Sequence, residues 1–390
     1  MAHLDPYAYA FHDDPYPVYA ALRSQAPVYR NDALDFFALS RHADVLAGFK
    51  DSARFSSASG VSLDPASWGP AAQVAMSFLA MDPPQHTRMR ALVSRGFTPR
   101  RVAALEPRIR QIAVAHLDAC AGRDRIDVVD DLAGKLPMDV VSEMLGVPAA
   151  DRAELRRSAD LLVHREEGRR DVPKEGVLAF AAIRAYFTDL IEDRRRRPGD
   201  DLLSALLVAD LDGDRLGDAD ILSFCNLMIV AGNETTTKLI ANALYWLWRH
   251  PDQRALVRAD PRLVPGWIEE TLRYDNSSQI LARVLTREVS VRGVRMPKGS
   301  RVLLLVGSAN RDEEVFAQPD AYDIRRDTSE MLSFGRGAHF CMGAALARLE
   351  ARVALEEWWR RHPDYEVDPD GAVRVHSVNV RGFAHLPVKV

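Results

Sequence analysis

Residues 334–343 read Phe334-Gly335-Arg336-Gly337-Ala338-His339-Phe340-Cys341-Met342-Gly343. Three glycines in ten positions permit tight turns and let a backbone approach something flat. The segment opens onto a predicted helix, Met342 to Arg361, whose apolar residues include Met342, Ala345, Leu346, Leu349 and Val353. A cysteine at a helix start feels the positive end of the helix dipole, which favours the thiolate. A thiolate held by a glycine-rich loop can bind a metal from one side. The alternative is a small side chain buried in a turn, the ordinary state of a free cysteine. The loop is not a dinucleotide fingerprint, because Phe340 stands where the third glycine belongs.

Working outward, the chain reads as mostly helical. Two short strands, Val28–Arg30 and Asp35–Ser40, flank Asn31-Asp32. Helices are predicted over Pro99–Cys120, Leu132–Leu145, Val177–Arg197, Asp218–His250 and Leu263–Tyr274, from apolar residues recurring near a 3.6 period. Arg194–Arg197 followed by Pro198-Gly199 is a helix end. Ile280–Thr286, Val289–Val294 and Arg301–Val306 are short and β-rich, and Val373–Val390 reads as strands and turns. Glu166–Lys174, with Gly168 and Pro173, reads as a surface loop. No boundary separates two domains, so a single domain over residues 1–390 is expected.

Composition narrows the function. The 390 residues are 47% hydrophobic and 27% charged, enough for a large core and too ordinary for a disordered chain. With 51 basic and 55 acidic residues the formal charge is -4, which argues against a general nucleic-acid binder. Cys120, Cys225 and Cys341 are scattered, so neither a disulfide framework nor a four-ligand zinc site is expected. There is no run of the ~18 apolar residues a membrane span needs, and no signal peptide. A cytoplasmic protein without a membrane anchor is the expectation.

Segment 334–343 resembles the haem-thiolate signature of the cytochrome P-450 family, F-G-x-G-x-H-x-C-x-G, at every fixed position. The resemblance implies that Cys341 is the axial iron ligand of haem b, which a thiolate pushes toward O–O cleavage. Three further motifs follow the same family. Ala231-Gly232-Asn233-Glu234-Thr235-Thr236 matches the central helix that cradles dioxygen, with Glu234 and Thr235 as the acid and alcohol that relay protons. Read alone, it is a helix kink with a solvent-facing glutamate. Glu270-Thr271-Leu272-Arg273 matches a structural ion pair behind the haem. Its usual third partner is an arginine where this chain has Ala321, and Arg325 is the expected substitute. Asp82-Pro83-Pro84-Gln85-His86-Thr87-Arg88-Met89-Arg90 places His86 and Arg90 on one helix face, which the resemblance assigns to a haem propionate. Arg283 and His339 are the further propionate contacts.

The resemblance thus implies a mainly α fold with a small β region, a triangular helical prism enclosing haem. It implies a monooxygenase that inserts one atom of O2 into a small hydrophobic or amphipathic substrate such as a steroid, polyketide, terpenoid or fatty acid. Ring coupling, peroxide-driven oxidation and a haem sensor without turnover are the alternatives. The implied pocket walls are Gly60–Ala80, Leu161–Glu166, Val177–Ala182, Met228–Asn233, Asn276–Leu281 and Val378–Phe383, with Ile229, Asn233, Gln279 and Phe383 among them. The expected electron donor is a ferredoxin. Arg88, Arg90, Arg95, Arg100, Arg101, Arg108 and Arg110, against Glu106 alone, form a basic stretch suited to steering an acidic partner.

Overall fold

The computed structural model describes residues 3–390 apart from 66, 67, 70, 164, 167, 168, 171 and 212. Parts of the predicted loop 166–174 and of the predicted pocket walls 60–80 and 161–166 therefore lie outside the described residues. The helices that place the site are α1 (Gln85–Val93), α2 (Pro99–Ala104), α3 (Glu106–Asp118), α4 (Leu136–Met144), α5 (Arg152–Val163), α6 (Lys174–Arg196), α7 (Asp218–Arg249), α8 (Val264–Tyr274) and α9 (Ala344–Arg361). The predicted helix 99–120 is two helices. Leu105 ends the first, and Pro107, which has no N–H to give to the preceding turn, opens the second.

Helix α7 organises the rest. Its 32 residues span about 48 Å. Its first half packs Ile221, Phe224 and Met228 into a core shared with α4, α5 and α6. Its second half packs Leu239, Ile240 and Leu244 into another core, with Trp267 of α8 and Trp358 of α9. The two cores change over around Gly232–Thr236, and the cavity described below lies there.

A five-stranded sheet runs β1 (Val28–Asn31), β2 (Phe36–Leu39), β7 (Arg301–Leu305), β4 (Ile280–Leu285) and β3 (Phe55–Ser56) from edge to edge. Only the β2–β7 pairing is parallel. Because side chains alternate along a strand, Ile280 and Ala282 of β4 face one core while Leu281 and Arg283 face the cavity. The predicted strand 289–294 is instead a hairpin, β5 (Val289–Val291) and β6 (Val294–Met296), turned by Arg292 and Gly293 at φ +49° and +80°. Among the described residues no helix is long and apolar enough to cross a membrane.

Candidate active site

The cysteine loop forms one wall of a cavity that α7, α9 and β4 also line. Gly335 and Gly337 make its turn at φ +66° and +71°. A Cβ on Gly337 would stand 2.8 Å from the Phe49 carbonyl oxygen, so no other residue type lets the loop seat this closely. Cys341 N–H donates to the Phe334 carbonyl at 2.9 Å and closes the loop. Helix α9 starts at Ala344, so Cys341 stands just before it and the N–H groups of Gly343 and Ala344 reach the sulfur. Burial pushes the thiol up; those N–H groups, Arg90 and Arg348 pull it back toward the thiolate.

Arg283, Arg90 and His339 line the same cavity, and His86 lies against the His339 ring. Arg283 is almost wholly buried, and its Nη1 donates to the Ala282 carbonyl at 2.8 Å. Burial lowers its guanidinium to about 10. Arg90 Nη2 donates to the Phe340 carbonyl at 2.7 Å. The rings of His86 and His339 lie 4.1 Å apart. Both nitrogens of His86 and Nε2 of His339 are buried without a hydrogen-bond partner. Burial, then the neighbouring cations, lowers both imidazoles, His339 to about 3. Neither Arg90 nor Arg283 has an ion-pair partner among the described residues. The nearby Asp82 is held by Ser56 Oγ and the Ser57 N–H. Buried cations and donors left this way carry a large cost, and a ligand with two carboxylates relieves it.

On the α7 side, Gly232, Thr235 and Thr236 line the cavity. Thr235 Oγ1 donates to the Ala231 carbonyl at 2.9 Å, and the Thr235 carbonyl accepts from Ser277 Oγ at 2.7 Å. Gly232 admits α4: a Cβ there would lie 3.0 Å from Val141 Cγ2. Glu234 is buried but does not line the cavity. Its Oε2 is 3.3 Å from Lys238 Nζ and its Oε1 accepts from Asn233 Nδ2 at 3.3 Å. The solvent-facing glutamate is thereby excluded. Burial acts to raise Glu234, yet Lys238 and a hydrogen bond with Asp160 of α5 hold it below the usual carboxylate range.

Glu270 and Arg273 of α8 are both fully buried, joined at 2.7 Å through two parallel hydrogen bonds. The third partner is Arg326, not Arg325. Arg326 Nε lies 3.3 Å from Glu270 Oε1, and its Nη atoms donate to the carbonyls of Ala317, Gln318 and Ala321. Arg325 stays exposed, because its backbone N–H is tied to Asp323 Oδ1. Two acids escaped the sequence reading. Glu350 of α9 lines the cavity with Oε1 unpaired, and burial raises it to about 8 against a hydrogen bond with Thr236. A lone acid in the buried stripe Leu346-Leu349-Val353 was its signal. Asp160 carries no local signal; only the packing of α5 on α7 brings it to Glu234.

The pocket walls also need correction. Val61, Phe78, Leu79, Leu227, Met228 and Leu281 line the cavity, with Asn276, Ser277 and Ser278. Ile229 packs into the core of α4–α6, Phe383 packs against Tyr245 in a tilted pair, and Asn233 and Gln279 are turned elsewhere. Of the seven arginines, Arg88 pairs with Asp214, Arg108 with Glu143, and Arg110 with Glu106, Glu356 and Glu357. Arg95, Arg100 and Arg101 remain exposed without a carboxylate partner among the described residues.

The comparisons agree with this geometry. The family model for cytochrome P-450 matches residues 174–374. The putative cytochrome P-450 123 of Mycobacterium tuberculosis is 56% identical over 99% of this chain and 96% of its own. The structure of cytochrome P-450 CYP109Q5 from Chondromyces apiculatus superposes with a TM-score of 0.89 at 38% identity, covering 100% and 98% of the two chains. CYP109E1 from Bacillus megaterium, in complex with testosterone, superposes at 0.89 with 32% identity, covering 96% and 97%. The chain belongs to the cytochrome P-450 family, whose members are oxidoreductases of the monooxygenase class carrying haem b. The residues fit that group: a sulfur open to the cavity, a glycine-lined approach, and unpaired buried donors suited to two propionates.

Proposed function

We propose that this chain is a monooxygenase in which Cys341 holds the haem iron as thiolate, while Arg283, Arg90, His86 and His339 bind the propionates. The carrying observation is that one cavity brings together Cys341, Arg283, Arg90, His339 and Thr235, with His86 against the His339 ring. Bound haem b supplies the redox chemistry that transfers one oxygen atom from O2 to a C–H or C=C bond. The backbone N–H groups of Gly343 and Ala344 hold the sulfur in its charged form. Arg283 gains the counter-anion that its burial demands, and the half-buried Arg90 adds a second cation. Thr235 Oγ1 positions a proton at the cavity wall, and Glu234 replenishes it from the far side of α7. The apolar walls exclude water and orient substrate, with Asn276, Ser277 and Ser278 marking where polar groups of the substrate bind. A mostly apolar molecule of steroid size with a few polar groups suits them, and the testosterone bound to CYP109E1 shows that protein holding such a ligand. A ferredoxin docks on the exposed Arg95, Arg100 and Arg101. The unpaired Cys120 and Cys225 suit a reducing cytoplasm. The test is the reduced carbonyl complex. Wild type should show the strongly red-shifted Soret band of thiolate ligation, and Cys341→His should lose it. An unchanged band in the variant refutes the assignment.

A further inference from the structure

The segment between α8 and β4, residues 275–279, walls the cavity through Asn276, Ser277 and Ser278. It is anchored from behind. The Asp275 carboxylate accepts from Trp246 Nε1 at 2.8 Å and Arg381 Nε at 2.6 Å, and its carbonyl accepts from Asn242 Nδ2 at 2.9 Å. The Ser277 carbonyl accepts from the Arg381 N–H at 2.8 Å, and the Gln279 N–H donates to the Asn379 carbonyl at 2.9 Å. Asn242 and Trp246 tie this wall to the second half of α7. Ser277 ties it to the middle. Its side chain is buried, and its hydroxyl donates to the Thr235 carbonyl at 2.7 Å. That turn is where α7 is held least firmly. Gly232 gives it more backbone freedom than any other residue would. Thr235 Oγ1 donates back to the Ala231 carbonyl at 2.9 Å, an arrangement that bends helices. Among the described residues, none from Val230 to Lys238 belongs to either apolar core that flanks α7. Among them too, the Ser277 hydroxyl makes the one hydrogen bond that joins the backbone of residues 231–235 to another element.

We propose that Ser277 is a positioning residue for Thr235. Its hydroxyl braces α7 against the substrate-facing wall and so fixes where Thr235 stands relative to a substrate lying on that wall. This rests on Thr235 acting as the proton-positioning alcohol proposed above. The contact asks for a particular group. A carbonyl oxygen has two lone pairs, and the helix ladder takes one, so the other is open to a donor. Serine places an O–H there on a short stem. Ser277 itself moves no proton, because its hydroxyl hydrogen is committed to a carbonyl that does not react. Its effect runs through the position of Thr235. Misplacing a group at a reacting centre by about 1 Å can cost about 10²-fold in rate. One neutral hydrogen bond can secure only part of that, about 2–10-fold.

The test compares Ser277→Ala, Ser277→Val and Ser277→Thr in the haem-loaded protein, with Thr235→Ala beside them. Valine and threonine are close in shape and differ in the hydroxyl. The infrared stretch of carbon monoxide bound to the reduced protein needs no substrate. It should be one narrow band in wild type and Ser277→Thr, and broad or split in Ser277→Ala and Ser277→Val. Haem content and the unfolding midpoint should match wild type, which separates positioning from folding. With testosterone, the ligand held by CYP109E1, as the probe, product per reducing equivalent should fall about 2–10-fold in Ser277→Ala and Ser277→Val. KM should stay near wild type, and Ser277→Thr should recover the coupling. A wild-type carbon monoxide band in Ser277→Val overturns the proposal. So does a change in KM alone, which would make Ser277 a substrate contact. Full coupling in Thr235→Ala instead overturns the proton role of Thr235, and the positioning role of Ser277 with it, whatever the band shows.

Discussion

Arg273→Ala should cost this protein about 3–5 kcal/mol, the loss expected when one side of a buried ion pair is removed. The structure explains why the loss should be that large. Nε and Nη2 of Arg273 each donate to Glu270 at 2.7 Å, and the other N–H groups donate to the carbonyls of Asn310, Pro319 and Ala321 at 2.9–3.2 Å. The two side chains are 0% and 1% exposed, so water cannot take over these bonds. Alanine would leave a buried carboxylate facing Arg326 and the Asp323 N–H alone. Arg326 softens the loss, because it already shares the Ala321 carbonyl. A deficit of this size is about a fifth or more of a typical ~5–15 kcal/mol net stability. The assay is urea unfolding followed by tryptophan fluorescence and by haem absorbance, together with the haem content of purified protein. Arg326→Ala should lower the midpoint, at a cost of about 1.5–3 kcal/mol in stability, as one charged hydrogen-bonding partner is lost. Arg325→Ala should leave it in place. A normal midpoint and full haem content in Arg273→Ala would refute the reasoning. A larger effect at Arg325 than at Arg326 would refute the identity of the third partner.

Thr235→Ala should keep haem and substrate binding yet lower coupled turnover by about 10²-fold, with peroxide as the lost product; undiminished coupling argues against a proton role for its hydroxyl. Changing Arg95, Arg100 and Arg101 to glutamate should slow stopped-flow reduction by a ferredoxin, and the wild-type rate should fall with salt as the Debye length shrinks from about 10 Å at 0.1 M. A rate indifferent to both moves the docking surface elsewhere. Asp275 gives a pH prediction. Burial acts to raise it, but Arg381, Arg374, Tyr16 and Trp246 hold it far below the ordinary carboxylate value. Its folded pKa is therefore depressed, so its stabilisation is complete above the unfolded value of about 3.9 and is lost as pH falls through the folded one. Asp275→Asn should be less stable at pH 7 and should show a flatter acid limb in unfolding midpoints measured from pH 7 to pH 3. An unchanged acid limb would contradict this.

What the sequence carried was chemistry confined to one turn or one loop. The spacing from Phe334 to Gly343 places a sulfur at a helix start whatever the rest of the chain does, because glycine turns and a helix N-terminus act within a few residues. Glu270 and Arg273 meet for the same reason, three residues apart on one helix. The long helix was legible through its period, and its boundaries shifted by a single residue at the C-terminal end. The errors arise where the outcome depends on a partner far along the chain. Seven arginines in 25 positions looked like a free patch, yet Asp214, Glu143 and Glu356 return from later segments to neutralise Arg88, Arg108 and Arg110. Arg325 and Arg326 are indistinguishable as letters, and only the turn around Asp323 decides which one faces Glu270. Glu234 reads as a cavity acid by motif, but its carboxyl lies against Lys238 one turn on and does not line the cavity. A motif therefore fixes which groups are present at a site. The direction in which a charged group is turned is set by the balance of charges around it, and that balance is assembled only when the helices pack.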